Sequence, residues 1–340
     1  MSRVGRIGLG RGSPEGENSA YVLPERGVVV DPGPPTDDAW NRLRTGIEDA
    51  GLTLGDVEHV LVTHWHVDHA GLAPRLAETA GATVVVHERD APLVADYTAE
   101  RERRVQRDAR QLHEWGVPEG VVDAVRSGDR PSPMPDSLSV ESVVDGDSVA
   151  GVEMVHTPGQ TLGHTAFACD EALFVGDLVL PTYTPNVGGG DTRLDDALAT
   201  YLESLRRVRA VSARLGGKSE HDGVGHAAPG HGSPLVLGDR IDEIVSHHDA
   251  RSTQTVAALG QLAPGKEEES GVAATPWEVA TTLFGEMEGI HAKMGAGEAA
   301  SHLEFLRKRG AVERVGVESE PSRYRVVDAE KSGFDGRETH

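Results

Sequence analysis

An α/β architecture is what this 340-residue sequence predicts: helices packed outside two β-sheets, an αββα sandwich, with a small helical module and a β-hairpin at its C-terminal end. Three observations predict it. Over residues 1–248, short β-branched runs alternate with amphipathic stretches, as a layered α/β domain requires. Residues able to hold metal ions stand at the ends of those runs. Past the linker Ala263-Pro264-Gly265-Lys266-Glu267-Glu268-Glu269 the pattern changes to helices followed by strands.

Strands are predicted at 28–30, 60–63, 84–87, 152–156, 166–169 and 173–175, all short apolar runs. Trp40, Leu43 and Ile47 follow the capping Thr36 at spacings of three and four, and Leu198, Tyr201, Leu202, Leu205 and Val208 follow Asp195 and Asp196. Each set gives one apolar stripe, suited to a helix laid on a sheet. A polar insertion occupies about 97–135: an Arg-rich helix over 100–115, a short helix over 118–126, and the stiff return Pro131-Ser132-Pro133-Met134-Pro135. The stretch from Gly216 to Gly225 reads as a surface loop, with His221 and His226 solvated or supporting a metal ligand. A long helix over 241–259 spans the boundary at 248. The second domain, 249–328, carries a helix capped at Thr275-Pro276, another from Gly297 through Leu303 and Leu306 to Arg309, and strands around 312–317 and 324–327. Helices followed by a hairpin point to a winged-helix-like module, and 329–340 form a tail.

Composition narrows the class. No apolar run approaches the ~20 residues of a membrane span, and the N-terminal residues lack a signal-peptide core, so the cytoplasm is the default expectation. The single cysteine, Cys169, excludes an intrachain disulfide and fits a reducing compartment. Asp and Glu number 55 against 33 Lys and Arg, a net charge of −22, and only five of those cations are lysines (218, 266, 293, 308, 331). Such an acidic, Lys-poor chain resembles the proteins of salt-in halophiles, where molar salt screens carboxylate repulsion; a GC-rich mesophile is the blander source of the same bias. A winged helix also raises nucleic-acid binding, yet residues 250–340 carry 11 Lys and Arg against 15 Asp and Glu. Phosphate recognition rests on a basic face, so packing, capping or homodimer formation is the favoured role of this module.

The chemistry concentrates in Thr63-His64-Trp65-His66-Val67-Asp68-His69-Ala70-Gly71, directly behind Val60-Leu61-Val62. Chance places such a pattern in a chain with 16 histidines with a probability on the order of 10^-3, which makes a chance cluster in a His-rich loop a poor explanation. His64 and His66, two apart at a strand end, share a face and can hold one metal as neutral imidazoles. A turn into a helix then aims Asp68 and His69 at a second metal, and Gly71 permits the tight bend.

This segment resembles the His-x-His-x-Asp-His signature of the metallo-β-lactamase-fold hydrolases. Other stations follow in order: Asn18 to Tyr21 and Val28-Val29-Val30 with Asp31-Pro32-Gly33 resemble the opening hairpin, Thr157 to His164 the third motif, Phe174-Val175-Gly176-Asp177 the fourth, and Ala228-Pro229-Gly230-His231-Gly232 the fifth. The third motif departs from the family, since the histidine that normally follows Thr-Pro-Gly is Gln160 here. The resemblance implies the αββα fold and a substrate-binding cap for the insertion, which would otherwise be a solvated hairpin. It extends to lactamase-like proteins with a C-terminal winged-helix domain, among them a mitochondrial endoribonuclease.

The implied ligand set places His64 and His66 at site one and Asp68, His69 and His231 at site two, with Asp177 bridging; Gln160 and His164 are metal ligands or their supports. Zinc is the expected metal, two ions in all, with iron or manganese as alternatives. A shared hydroxide is the nucleophile, and Asp68 orients it or passes its proton to the leaving group. Several true β-lactamases of this fold carry Cys at the position of Asp177, so the aspartate points to the thioesterase-like, lactonase-like and nuclease-like branches. Cys169, in an apolar strand, reads as a core thiol. Tyr183 and Asn186 follow Asp177 closely and are candidates to touch a small-molecule substrate. The reading is a metal-dependent hydrolase of a thioester or small ester, related to hydroxyacylglutathione hydrolases. The alternatives are a phosphodiesterase or ribonuclease, or a non-catalytic binding protein with a degraded site.

Overall fold

The computed structural model describes residues 4–13, 15–170, 172–216, 226–262, 273–316 and 321–327. His221 with its loop, the side chain of His226, the linker at 263–270 and the tail 329–340 lie outside the described residues. The chain forms two compact units.

The first unit comprises Met1–Arg103, Pro131–Pro185 and Thr200–Ile244. One sheet takes β1 (Gly5–Ser13), β2 (Gly16–Leu23), β3 (Val28–Val30), β4 (His59–Val62), β5 (Thr83–His87) and β6 (Val140–Val143) in sequence order. Its first three strands pair antiparallel, and β3 to β6 pair parallel. The other sheet takes β7 (Ser148–Val149), β8 (Val152–His156), β9 (Thr165–Cys169), β10 (Ala172–Gly176), β11 (His226–Pro229) and β12 (Leu235–Val236), also in order.

The unbroken valine runs are explained by burial on both faces. Val29, Val60, Val62, Val84 and Val86 enter an apolar core with α1 (Asp37–Asp49) and α3 (Ala73–Ala80) through Leu43, Ile47 and Leu76. Their alternates Val28, Val30, Leu61 and Val85 meet Met154, Phe167, Cys169 and Phe174 of the opposite sheet. Two sheets face to face with helices outside follow directly. Thr36 caps α1 by accepting Ala39 N–H at 3.2 Å. The short α2 (Val67–Ala70) leads from β4 into α3, and α4 (Ala91–Ala95) follows β5. Cys169 faces the intersheet core, where burial pushes its thiol up to about 11 and makes it inert.

The second unit comprises Arg104–Arg130, Asn186–Ala199 and Val245–His340. This division does not follow a linear boundary at 248, and the physical reason is apolar. Along α5 (Tyr97–Glu114) and α6 (Glu119–Gly128), Leu112, Val122 and Val125, together with Trp115 and Val117, pack on Ala292, Ala296 and Ala300 of α10 (Gly289–Lys308). Burying side chains of this size is worth roughly 1.5–3 kcal/mol each, which no solvated hairpin would supply. Helix α7 (Ala197–Gly216) belongs almost wholly to the first unit, α8 (Leu237–Gln261) begins in the first and ends in the second, and α9 (Pro276–Phe284), opened by a capping box between Thr275 and Glu278, lies in the second. A hairpin of β13 (Val312–Val315) and β14 (Arg323–Val326) closes the unit. Helix α10 starts eight residues before the predicted Gly297, and Gly297 is accepted inside it because it serves close packing: a Cβ there would stand 2.5 Å from Gly189 N. No helix among the described residues is long and apolar enough to cross a membrane.

Candidate metal centre

Strand ends of both sheets in the first unit deliver the polar residues to one place. Strand β4 stops at Val62, so His64 and His66 sit in the loop before α2 rather than on the strand itself. They still converge, with His64 Nε2 and His66 Nδ1 3.0 Å apart. Helix α2 then carries Asp68 and His69, its first turn held by His69 N–H and Ala70 N–H donating to His66 O. Gly71 is required for space rather than for an unusual bend. Its φ is −62°, ordinary for a helix, but a Cβ there would overlap Pro35 Cδ and Val67 O.

Asp177 follows β10 across Gly176, and His231 follows β11, bridged to Asn18 of β2. Asp177 Oδ2 lies among three imidazoles, 3.3 Å from His69 Nε2, 3.5 Å from His231 Nε2 and 3.9 Å from His64 Nε2. Asp68 Oδ2 lies 3.5 Å from His69 Nε2 and 3.3 Å from His231 Nε2, and Asn18 Nδ2 donates to it at 3.1 Å. Among the described residues, two groups therefore have donor atoms close enough to share a cation: His64, His69 and Asp177, and Asp68, His69 and His231. His66 belongs to neither. Its Nδ1 meets His64 and the Gln160 amide nitrogen, each at 3.0 Å.

His164 is fully buried, its Nδ1 2.8 Å from Thr157 Oγ1 and its Nε2 packed where a Cβ on residue 176 would stand 2.7 Å away. Tyr183, on the loop after Asp177, is 42% exposed. Asn186 lies in the second unit, where its amide donates to Met294 O and Glu298 and accepts Gly189 N–H, a structural task.

Three supports escaped the sequence. Asp31, left-handed at φ 48°, places Oδ2 3.1 Å from His69 Nδ1 and accepts Thr63 N–H on Oδ1 at 2.8 Å. Asn18 holds Asp68. Asp90, fully buried, accepts Thr161 Oγ1 at 2.6 Å and Gly163 N–H at 2.9 Å, fixing the loop that carries Gln160.

Electrostatics test whether cations fit. Burial opposes a charge on every one of these groups, yet Asp177 and Asp68 outweigh it and raise His69 well above the usual imidazole range. Burial likewise opposes protonation of His231, but hydrogen bonds to Asp177 and Asp68 lift it to about 9. Both aspartates are held below the usual carboxylate range, against burial, by His69 and His231. At His64 burial and the neighbouring imidazoles win, and its pKa falls. The cluster thus draws positive charge into a buried space. Asp177 Oδ1 and Gln160 Oε1 are buried without a hydrogen-bond partner, and such orphans are rare unless another ligand serves them. Neutral imidazoles and carboxylates are the donors that divalent zinc, iron or manganese take.

Comparison with known proteins agrees. Residues 13–215 match the metallo-beta-lactamase superfamily. The lactamase-like protein adaB of Aspergillus niger is 26% identical over 306 residues, 88% of this chain and 76% of that protein. The atrochrysone carboxyl ACP thioesterase of Aspergillus fumigatus is 26% identical over 240 residues, 68% of this chain and 57% of that protein. A metallo-beta-lactamase family protein of Thermus thermophilus superposes with a TM-score of 0.70 at 28% identity, covering 95% of this chain and 98% of its own.

Proposed function

We propose that this chain, which belongs to the metallo-beta-lactamase superfamily, is a metal-dependent hydrolase that cleaves the acyl–sulfur bond of a thioester or a related small ester, with zinc at its centre. The observation that carries the proposal is the donor set: three imidazoles around Asp68 and Asp177 with a fourth, His66, beside His64, and no serine or cysteine among the described residues that meet there. Divalent cations bound by these residues supply Lewis acidity toward the carbonyl and toward the attacking water. The chain's own residues do the rest. Asp68, partly exposed, has its Oδ2 steadied by Asn18, and its carboxylate takes the proton of the attacking water and delivers it to the leaving thiolate or alkoxide. Asp177, buried among three imidazoles, stays ionised and keeps His69 and His231 in place.

Two further observations favour acyl–sulfur chemistry. Aspartate at position 177 sets the chain apart from the β-lactamases that carry Cys there, and the relative of Aspergillus fumigatus is named as a thioesterase. The expected kinship with hydroxyacylglutathione hydrolases rests on the same aspartate. The acidic balance of residues 250–340 supports a packing, cap or dimerisation role for a winged-helix-like module over nucleic-acid binding, the net charge of −22 supports a halophilic protein, and the single cysteine supports a reducing compartment such as the cytoplasm. Metal analysis of the purified protein, then assays of thioester, lactone, phosphodiester and single-stranded RNA in molar KCl, test the reading. The thioester should give the highest kcat/KM, and Asp177→Ala should abolish it. Faster cleavage of RNA or phosphodiester, or full activity after metal removal, would overturn it.

A further inference from the structure

We infer that the two cation positions of this chain are unequal and that Gln160 is the cause. The position built by Asp68, His69, Asp177 and His231 binds tightly, and the position built by His64 and His66, completed by the Gln160 amide oxygen, is labile. The inference rests on the reading that the cluster holds two cations.

Geometry places Gln160 as the third donor. Its Nε2 and His64 Nε2 both stand 3.0 Å from His66 Nδ1, so three side chains from two loops converge on one point. The residue is 8% exposed, and its Oε1 is buried without a partner. A half-turn of the amide exchanges Oε1 and Nε2 and moves nothing else. The amide nitrogen has no lone pair to give, so only that turned oxygen can serve a cation.

Donor chemistry then separates the positions. A neutral amide oxygen is a poorer partner than imidazole nitrogen for zinc and its neighbours in the series. Charge acts in the same direction. Two carboxylates lie within 3.3–3.5 Å of His69 and His231, whereas His64 reaches Asp177 only at 3.9 Å and His66 joins neither group. His164 does not compensate, because Thr157 holds its Nδ1 and its Nε2 is packed against Gly176.

Titration of the metal-free full chain with Zn2+ by calorimetry, repeated with Co2+ followed by absorption, tests this. One tight equivalent should appear, with a second at least ~100-fold weaker, the upper end of what losing even an outer partner costs, since here a ligand atom itself differs. Gln160→His should tighten the second equivalent at least ~10-fold and leave the first unchanged. Gln160→Leu, with an unaltered circular-dichroism spectrum, should delete only the second. Two equally tight equivalents, or a second equivalent indifferent to both substitutions, would overturn the asymmetry and leave the hydrolase reading standing. Failure to bind any metal would overturn both.

Discussion

Asp31 Oδ2 lies 3.1 Å from His69 Nδ1, and the same oxygen accepts the Thr63 hydroxyl at 2.7 Å. That hydroxyl oxygen stands 2.9 Å from His64 Nδ1. Since its proton is given to Asp31, Thr63 Oγ1 can only accept from His64, which places a hydrogen on His64 Nδ1; Asp31 takes the Nδ1 hydrogen of His69, and both Nε2 atoms are left facing Asp177 as the positions the rings can offer a cation. One carboxylate outside the donor set therefore fixes two tautomers inside it.

Asp31→Asn should weaken metal binding by about 10–100-fold. Asparagine keeps one acceptor for the three donors that Asp31 now serves, and its amino group would face a donor on His69 or Thr63. Competition against a chromophoric chelator measures the loss. Unchanged affinity would show that the rings are oriented by something other than this carboxylate.

Gly230→Ala tests the packing of the centre without touching a ligand. A Cβ there would overlap Asp177 Oδ1 and stand 2.6 Å from His69 Cε1. Residue 230 has no positive φ, so alanine suits the backbone and the clash falls on the ligands. Metal affinity should drop at least ~10-fold, while overpacking costs the fold about 1–3 kcal/mol. Metal content and thermal melting read the two effects separately; intact metal binding would refute the crowding.

The centre was legible in sequence where chemistry restricts residue choice. His64, His66, Asp68, His69, Asp177 and His231 are types that few other tasks demand together, and they follow valine runs whose alternate side chains enter two cores. Asp31, Asn18 and Asp90 were not legible as supports, because their tasks exist only after folding brings residues 25 to 73 positions away to them. Strand β1 escaped for a different reason. Gly5, Gly8, Gly10 and Gly12 leave only Ile7 and Leu9 to signal burial, and pairing with β2 supplies the order that propensity withholds. The polar insertion concealed the apolar face of Leu112, Val122 and Val125 behind its arginines, since the alanines that cover it lie far onward in the chain.

Away from the metal, His87 gives a pH dependence of stability. It stacks on His156 with ring centroids 4.0 Å apart and accepts Arg89 N–H on Nδ1 at 3.2 Å. Burial, then His156 and Arg89, lower its pKa from 6.5 to about 4. The folded value lies below the unfolded one, so the unfolded chain takes up the proton first. The contribution is complete above 6.5 and is lost as pH falls toward 4, by at most about 3 kcal/mol. Denaturant unfolding at pH 7.5 and 4.5 should show a smaller drop for His87→Leu than for the parent chain. Equal drops would mean that His87 is not held neutral by the fold.

Salt dependence has a sign set by competing charges. Surface pairs such as Arg207 with Asp145 at 2.6 Å and Arg26 with Asp170 at 2.5 Å are weakened by salt, and each is worth at most about 1 kcal/mol. Against them stands the mutual repulsion of a chain carrying −22, which salt relieves. The screening length falls from ~10 Å at 0.1 M to ~3 Å at 1 M, so the relief should be steepest in the first few tenths molar of KCl. Stabilisation by salt exclusion from the surface would instead grow steadily into the molar range. The melting temperature, followed by circular dichroism, should therefore rise by roughly 5 °C or more between 0.05 and 1 M KCl, with most of the rise early. A flat or falling curve would mean that the pairs outweigh the excess carboxylates and that the acidic surface is not an adaptation to salt.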